Sequence, residues 1–168
     1  LGNALSEALG MPVSALWSMR NGYALCTAEG LRAIAQLLSI SDDAHRDWLR
    51  GLVCVGWHRD VDVTDLPPTS RHQVSQVYCA ALPVAYSRVP KPAWEPFARL
   101  ILEASYEATL RAASIHAASG GSNRVLLTGL GAGAFGNEPN WIADALDHAL
   151  ARVASASLDI LLVGYQGI

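Results

Sequence analysis

Charge is scarce in this 168-residue chain: Asp, Glu, Lys and Arg together make up 16% of it. Hydrophobic residues make up 51%, which excludes a disordered chain, since disorder needs high charge and few apolar side chains. Basic charge in excess is missing too. The formal net charge of −3 leaves no general positive surface for nucleic acid, so an anionic ligand would have to be held by backbone amides and local dipoles. Cysteine is limited to Cys26, Cys54 and Cys79. An odd, scattered set fits reduced thiols better than a disulfide framework. That points to a cytoplasmic or otherwise intracellular location, with secretion as an effector left open. No apolar run reaches spanning length and no signal-peptide pattern opens the chain, so no membrane partner is expected. Internal repeats and low-complexity tracts are absent. The length suits one domain, 1–168, with a real core.

What the chain does have is glycine in one place. Gly129-Leu130-Gly131-Ala132-Gly133-Ala134-Phe135-Gly136-Asn137 carries four glycines in its first eight residues. The aliphatic run Arg124-Val125-Leu126-Leu127-Thr128 leads into it, and the helix-start signal Asn137-Glu138-Pro139 leads out. Such a loop keeps side chains away from a close-approaching ligand, and the helix after it turns its unpaired N–H groups and positive dipole end toward the loop. Phosphate is the usual guest of that arrangement. The plainer reading is a strand-to-helix turn whose glycines serve packing alone.

Around the loop, periodicity gives the remaining elements. Helix is expected over residues 1–9, from Pro12 through Met19, over Ala28–Leu38 behind a Thr27 cap, and from Ser41-Asp42-Asp43 to Leu49. Asn21-Gly22 marks a turn, with a short extended piece after it. Leu52–Thr64 and Gln73–Ala81 alternate as strands. The longest helix, Pro92–Ala118, is expected to bury Phe97, Leu100, Ile101, Ala104, Ala108 and Ile115, with exposed Arg99/Glu103 and Glu107/Arg111 pairs. Then come strand Arg124–Leu130, helix Pro139–Ser155 burying Ile142, Leu146, Leu150 and Val153, and the unbroken apolar run Leu158–Tyr165, typical of a central parallel strand. The second half thus reads as a parallel α/β sheet covered by helices.

Gly131-Ala132-Gly133-Ala134-Phe135-Gly136 satisfies G-x-G-x-x-G literally. A nicotinamide-cofactor fold would need an acidic residue at the end of the next strand to hold a ribose. That strand ends in Tyr165-Gln166, with Asp159 at its start, and only one strand follows the motif where a dinucleotide fold opens with it. Ligands of open parallel sheets sit outside the strands' carboxyl ends. Here those ends bring Ala81-Leu82-Pro83-Val84, the glycine loop and Tyr165-Gln166 to one rim. Tyr165 is a candidate to stack on a base, or a strand-end aromatic covering the core. Phe135 is expected to pack inward and seat the loop, or to meet a ribose.

Other constellations read as structural. His58, Asp60 and Asp62, with Asp65 nearby, form a flat row on a strand, and a metal needs converging ligands. Cys79 with His72 as base is a conceivable nucleophile, but a small buried hydrophobe suits the position better. His116, His148, Glu103 and Glu107 are expected on helix surfaces. No metal site and no bound cofactor are expected.

Three stretches carry a resemblance: Val77-Tyr78-Cys79-Ala80-Ala81-Leu82-Pro83-Val84-Ala85-Tyr86, Leu102-Glu103-Ala104-Ser105-Tyr106-Glu107-Ala108-Thr109, and Leu127 through Asn137. They resemble the macrodomain superfamily, in its divergent branch containing a Legionella ADP-ribosyl hydrolase effector. The glycine loop is similar to that of poly(ADP-ribose) glycohydrolase-like macrodomains. The resemblance runs from about Trp17 to Tyr165. It implies a three-layer α/β/α fold with a mostly parallel central sheet, and ADP-ribose, or an ADP-ribosylated protein, as ligand. It implies removal of ADP-ribose from modified proteins as the reaction, with an ADP-ribose reader as the alternative; an NAD(P)-binding Rossmann-type oxidoreductase is the weaker alternative that the G-x-G-x-x-G match leaves. Gly129, Gly131, Ala132, Gly133, Ala134, Phe135, Gly136 and Asn137 would cradle the diphosphate and distal ribose, with Leu82 and Pro83 on the rim and Tyr165 near the adenine. The family's early Asn-rich strand end and first glycine loop have no counterpart here, and Leu1–Gly10 looks like the helix that follows them. The chain, which opens on Leu1 rather than Met, is therefore expected to be N-terminally incomplete, with the catalytic group upstream.

Overall fold

The computed structural model describes residues 1–65, 67 and 72–164. It is a mixed α/β fold of six α-helices and six strands among the described residues. Helix α1, Gly2–Leu9, buries Leu5 and stops at Gly10. Helix α2 spans only Val13–Leu16. Strands β1, Trp17–Arg20, and β2, Tyr23–Cys26, then pair antiparallel. The expected helix through Met19 thus ends early. Asn21 and Gly22, with φ of 50° and 82°, form a two-residue hairpin turn, and that turn needs strand on both sides of it. Helix α3, Ala28–Ile40, starts where expected: the Thr27 hydroxyl accepts from Gly30 N–H at 2.9 Å. Helix α4, Asp43–Gly51, is capped by Asp42, whose carboxylate accepts from His45 N–H at 2.8 Å.

Strands β3, Gly56–Asp62, and β4, Gln73–Tyr78, form a second antiparallel pair. Its register slips between His58 and Val61, where Asp60 adopts φ of 53°. The bulge inserts one extra residue, so His58 and Val61 share a face. His58 and Asp62 therefore point to opposite sides, and the flat His-Asp-Asp row does not exist. No His, Cys, Asp or Glu cluster among the described residues has metal-holding geometry.

Helix α5, Lys91–Ala118, is the core element. It buries more than the single expected stripe: Trp94, Phe97, Ala98, Leu100, Ile101, Leu102, Ala104, Ser105, Tyr106, Leu110 and Ala112 are all covered, because α3, α4 and a sixth helix, α6, Pro139–Arg152, pack around it. Complete burial of side chains such as Trp94 and Leu102 contributes about 1.5–3 kcal/mol each. Ile115, expected inside, is 55% exposed. Tertiary neighbours also redraw the ion pairs. Arg99 bonds Glu95 and reaches Asp144 on α6, while Glu103 pairs with Arg50 at 2.7 Å; Glu107/Arg111 forms as expected. His116 and His148 are half-buried rather than on the surface, and His148 Nε2 lies 3.6 Å from Glu107.

Strand β5, Arg124–Thr128, helix α6, Pro139–Arg152, and strand β6, Asp159–Val163, complete the chain's second half. In α6 the core face is Trp141, Ile142, Ala145 and Ala149, with Leu150 turned to solvent. β5 and β6 pair in parallel, Arg124 beside Asp159 through Thr128 beside Val163. Among the described residues the strands form three two-stranded pairs, two of them antiparallel, rather than one continuous sheet. Between the amino ends of β4 and β5 lies a cleft of about 630 Å³, lined by Val74, Val77, Ala112, Ala113, Val125 and Leu126. β6 is not a central strand either: Leu161, Leu162 and Val163 are 45%, 63% and 47% exposed. An apolar run records that a strand suits burial, not which neighbours cover it. No helix among the described residues is long and apolar enough to cross a membrane.

The thiols differ in access. Cys54 is exposed, Cys79 is half-buried, and burial pushes Cys26 up to about 12. Since the thiolate is the reactive form, iodoacetamide at pH 8 is expected to label Cys54 first, Cys79 slowly and Cys26 only on unfolding. Peptide mass spectrometry over time checks the order.

Candidate functional site

The glycine stretch leaves the end of β5 as a loop, makes a 3-10 turn over Gly133–Phe135, and enters α6 at Pro139. Hydrogen bonds fold it onto itself: Ala132 N–H donates to Gly129 O, Gly136 N–H to Gly133 O, and Asn137 N–H to Gly131 O. The N–H groups of Gly133 and Ala134 meet no acceptor among the described residues. Ala132, Gly133 and Ala134 are exposed. The crest of the loop therefore offers donors and no side chain larger than methyl, the composition an anion cradle needs.

Two side chains hold the loop in place. Tyr106, buried on α5, donates its hydroxyl to Thr128 O at 2.7 Å and accepts from Leu130 N–H at 2.7 Å. Burial raises this phenol above its ordinary value, which keeps the donor proton in place. Asn137 was expected as part of the helix start, but it does not cap α6. It is 5% exposed, and its Nδ2 donates to Leu82 O at 2.9 Å and Gly131 O at 3.2 Å. The loop is thereby tied to the strand-end segment Ala81–Val84. Leu82 and Pro83 are buried, so they back the loop rather than face outward. Tyr106→Phe removes both bonds of the hydroxyl and leaves Leu130 N–H unpaired. It is expected to cost about 1–3 kcal/mol, seen as faster amide exchange at Leu130 and a lowered melting temperature.

Phe135 is half-buried, but it seats the loop in a way periodicity did not foretell. Its ring meets Tyr23, at the start of β2, at 5.7 Å and Tyr86 at 5.5 Å, and the two tyrosines meet at 5.3 Å, all edge to face. Tyr23 and Tyr86 are 38% and 48% exposed. They are the site residues that sequence reasoning missed. The only local signal was two exposed aromatics beside turn residues, and that signal does not say which turns meet. Edge-to-face pairs contribute about 0.5–1.5 kcal/mol beyond area burial, so the trio locks three distant segments into one rim.

Of the three strand-end segments, the glycine loop and Ala81–Val84 meet, with the latter buried behind the loop. Tyr165, the third, lies outside the described residues. The Cys79–His72 pair, set aside above in favour of a small buried hydrophobe, is not assembled. The two residues sit at opposite ends of β4, roughly 20 Å apart along a strand. Cys79 faces the Thr109 hydroxyl at 4.0 Å, and burial pushes its thiol up, away from nucleophilic character. The one carboxylate at the start of α6, Glu138, is tied to Lys91 at 2.6 Å. The 630 Å³ cleft is lined by His72 and Thr109 among others, and by none of the glycine-loop residues. The loop geometry marks the site better than that volume does, because an anion cradle is shallow by nature and needs donors rather than depth. No protein-family model, no curated protein and no solved structure matches the chain.

Proposed function

We propose that this chain is a macrodomain-like domain that binds ADP-ribose, with Gly129, Gly131, Ala132, Gly133, Ala134, Phe135, Gly136 and Asn137 around the diphosphate and distal ribose. The observation that carries the reading is the loop crest: unengaged N–H groups of Gly133 and Ala134, braced by Tyr106 and Asn137, beside an aromatic rim. Amides supply donors to phosphate oxygens, and the exposed rings of Tyr23 and Tyr86 offer apolar faces to a sugar or base. Leu82 and Pro83 support the cradle from behind, and Tyr165 belongs to the adenine side of the same proposal.

A mostly parallel, three-layer α/β/α arrangement is the finer form of the fold within this reading. Three features support it: the parallel β5–β6 pair, the packing of α5 and α6, and the cleft between β4 and β5.

The reaction in this reading is removal of ADP-ribose from a modified protein, the loop holding diphosphate and ribose so that water reaches the anomeric carbon. A reader without hydrolysis is favoured by one observation: the carboxylate nearest the loop, Glu138, is engaged by Lys91. Titration calorimetry with ADP-ribose and with NAD tests the binding; ADP-ribose is expected to bind and NAD to bind far more weakly. No heat with ADP-ribose would overturn the reading. Release of ADP-ribose from a modified protein separates hydrolase from reader.

A further inference from the structure

Two strand edges reach the same cleft without partners. The parallel ladder of β5 and β6 engages alternate residues of each strand. Asp159 N–H donates to Asn123 O at 2.9 Å, so Val125 and Leu127 follow Asn123 in turning their backbone groups to β6. Leu126 turns its own to the other side, where neither its N–H nor its carbonyl has a partner among the described residues. β4 is arranged alike. Val63 N–H donates to His72 O at 3.0 Å, which sets His72 and Val74 toward β3. The extra residue of the bulge lies on β3, so the alternation of β4 is unbroken, and Gln73, Ser75 and Val77 present their N–H and C=O groups to its open edge. Those three residues and Leu126 line the 630 Å³ cleft, yet β4 and β5 do not pair with each other. Its floor is the α5 stripe Thr109, Ala112, Ala113 and His116, at i, i+3, i+4 and i+7, whose small side chains leave room above the helix.

We propose that this cleft is a docking groove for an extended segment of a partner protein, which enters as a strand between β4 and β5. The proposal is independent of the ADP-ribose reading. Unpaired backbone groups on two walls call for a ligand with N–H and C=O groups on both of its sides, and an extended chain is built that way. A second copy of this chain does not supply one. Each of its described strands already gives one edge to a neighbour, so none is free to lie between two others. Charge narrows the occupant further. Arg124 and Asp159 pair with each other at 3.0 Å, while Asp60 has no ionic partner among the described residues. The walls between them are apolar, with Val74, Val125 and Leu126. The segment that fits is about as long as the six residues of β4, alternates β-branched with small polar side chains, and carries Lys or Arg rather than acids.

The test uses the whole wild-type chain and a fluorescein-labelled peptide of alternating valine and threonine, about six residues long behind one lysine. Anisotropy is expected to show saturable binding. Amide exchange is expected to slow at Leu126 on β5 and at Ser75 and Val77 on β4 together. N-methylation of the peptide then removes one donor at a time. A strand between two edges uses the donors on both of its sides, so methylating a central residue of either alternate set is expected to weaken binding about tenfold, the scale of one neutral hydrogen bond. A peptide held by one edge is weakened through one set alone, and a peptide held by side chains through neither. Either result overturns the proposal, as does slowed exchange confined to β4 or to β5. Absence of peptide binding overturns it too, including the case in which light scattering finds the chain dimeric with Leu126 already protected.

Discussion

Gly133→Glu is expected to abolish ADP-ribose binding while the domain stays folded. A Cβ at Gly133 meets nothing within 4 Å, so the side chain has room. Its φ of 66° imposes a left-handed conformation on an L-residue, at about 1–2 kcal/mol. A domain with the usual 5–15 kcal/mol of stability survives that. Binding does not, because the new carboxylate stands where the diphosphate would sit. Two like charges about 4 Å apart near a protein surface repel by about 4 kcal/mol, close to a thousandfold in Kd. Calorimetry reads the loss, and a thermal melt within a few degrees of wild type shows the fold intact. Unchanged affinity would remove the loop from the site.

Gly131→Ala, two residues away, is expected to fail for a different reason. Its φ is 76°, and a Cβ there would lie 2.4 Å from Ala81 Cβ and 2.6 Å from Asn137 Nδ2. Strain of about 1–2 kcal/mol adds to overpacking of about 1–3 kcal/mol, since Ala81 is in the core and Asn137 is pinned by two hydrogen bonds. The melting temperature is expected to fall by roughly 5–15 °C, and ligand affinity falls with it as the loop leaves Ala81–Val84. Gly133→Ala is the control, with a similar φ but open space. The difference between the two alanine variants measures the packing part. Equal melting temperatures would show that the loop is not docked against Ala81.

Legibility followed the range of the interaction. The Thr27 and Asp42 caps, the Asn21-Gly22 turn and the glycine loop between strand and helix are set by chemistry within a few residues, and each stands where the sequence places it. Errors came where a distant partner decides. Trp17 was expected on a helix and is on a strand, where its ring stacks on Phe97 at 5.8 Å. Arg99 was expected to pair with Glu103, but Asp144 on α6 and Glu95 take it. Leu158–Tyr165 was expected as a central strand, and its described part is one side of an exposed parallel pair.

The site divides in the same way. Composition and spacing alone determined that residues 129–137 form a glycine loop between β5 and α6, because few other sequences leave a strand, turn with left-handed φ at Gly131, Gly133 and Gly136, and start a helix at proline. Only the tertiary structure decided what that loop leans on. Tyr106 reaches it across 22 and 24 residues, Asn137 ties it to Leu82 across 55, and Tyr23 on β2 and Tyr86 in the 3-10 helix Val84–Tyr86 join Phe135 from two separate segments. Backbone preference is a local property and can be read residue by residue. Which hydroxyl, amide or ring completes a site depends on which elements the core brings together, and that is set by burial summed over the whole chain.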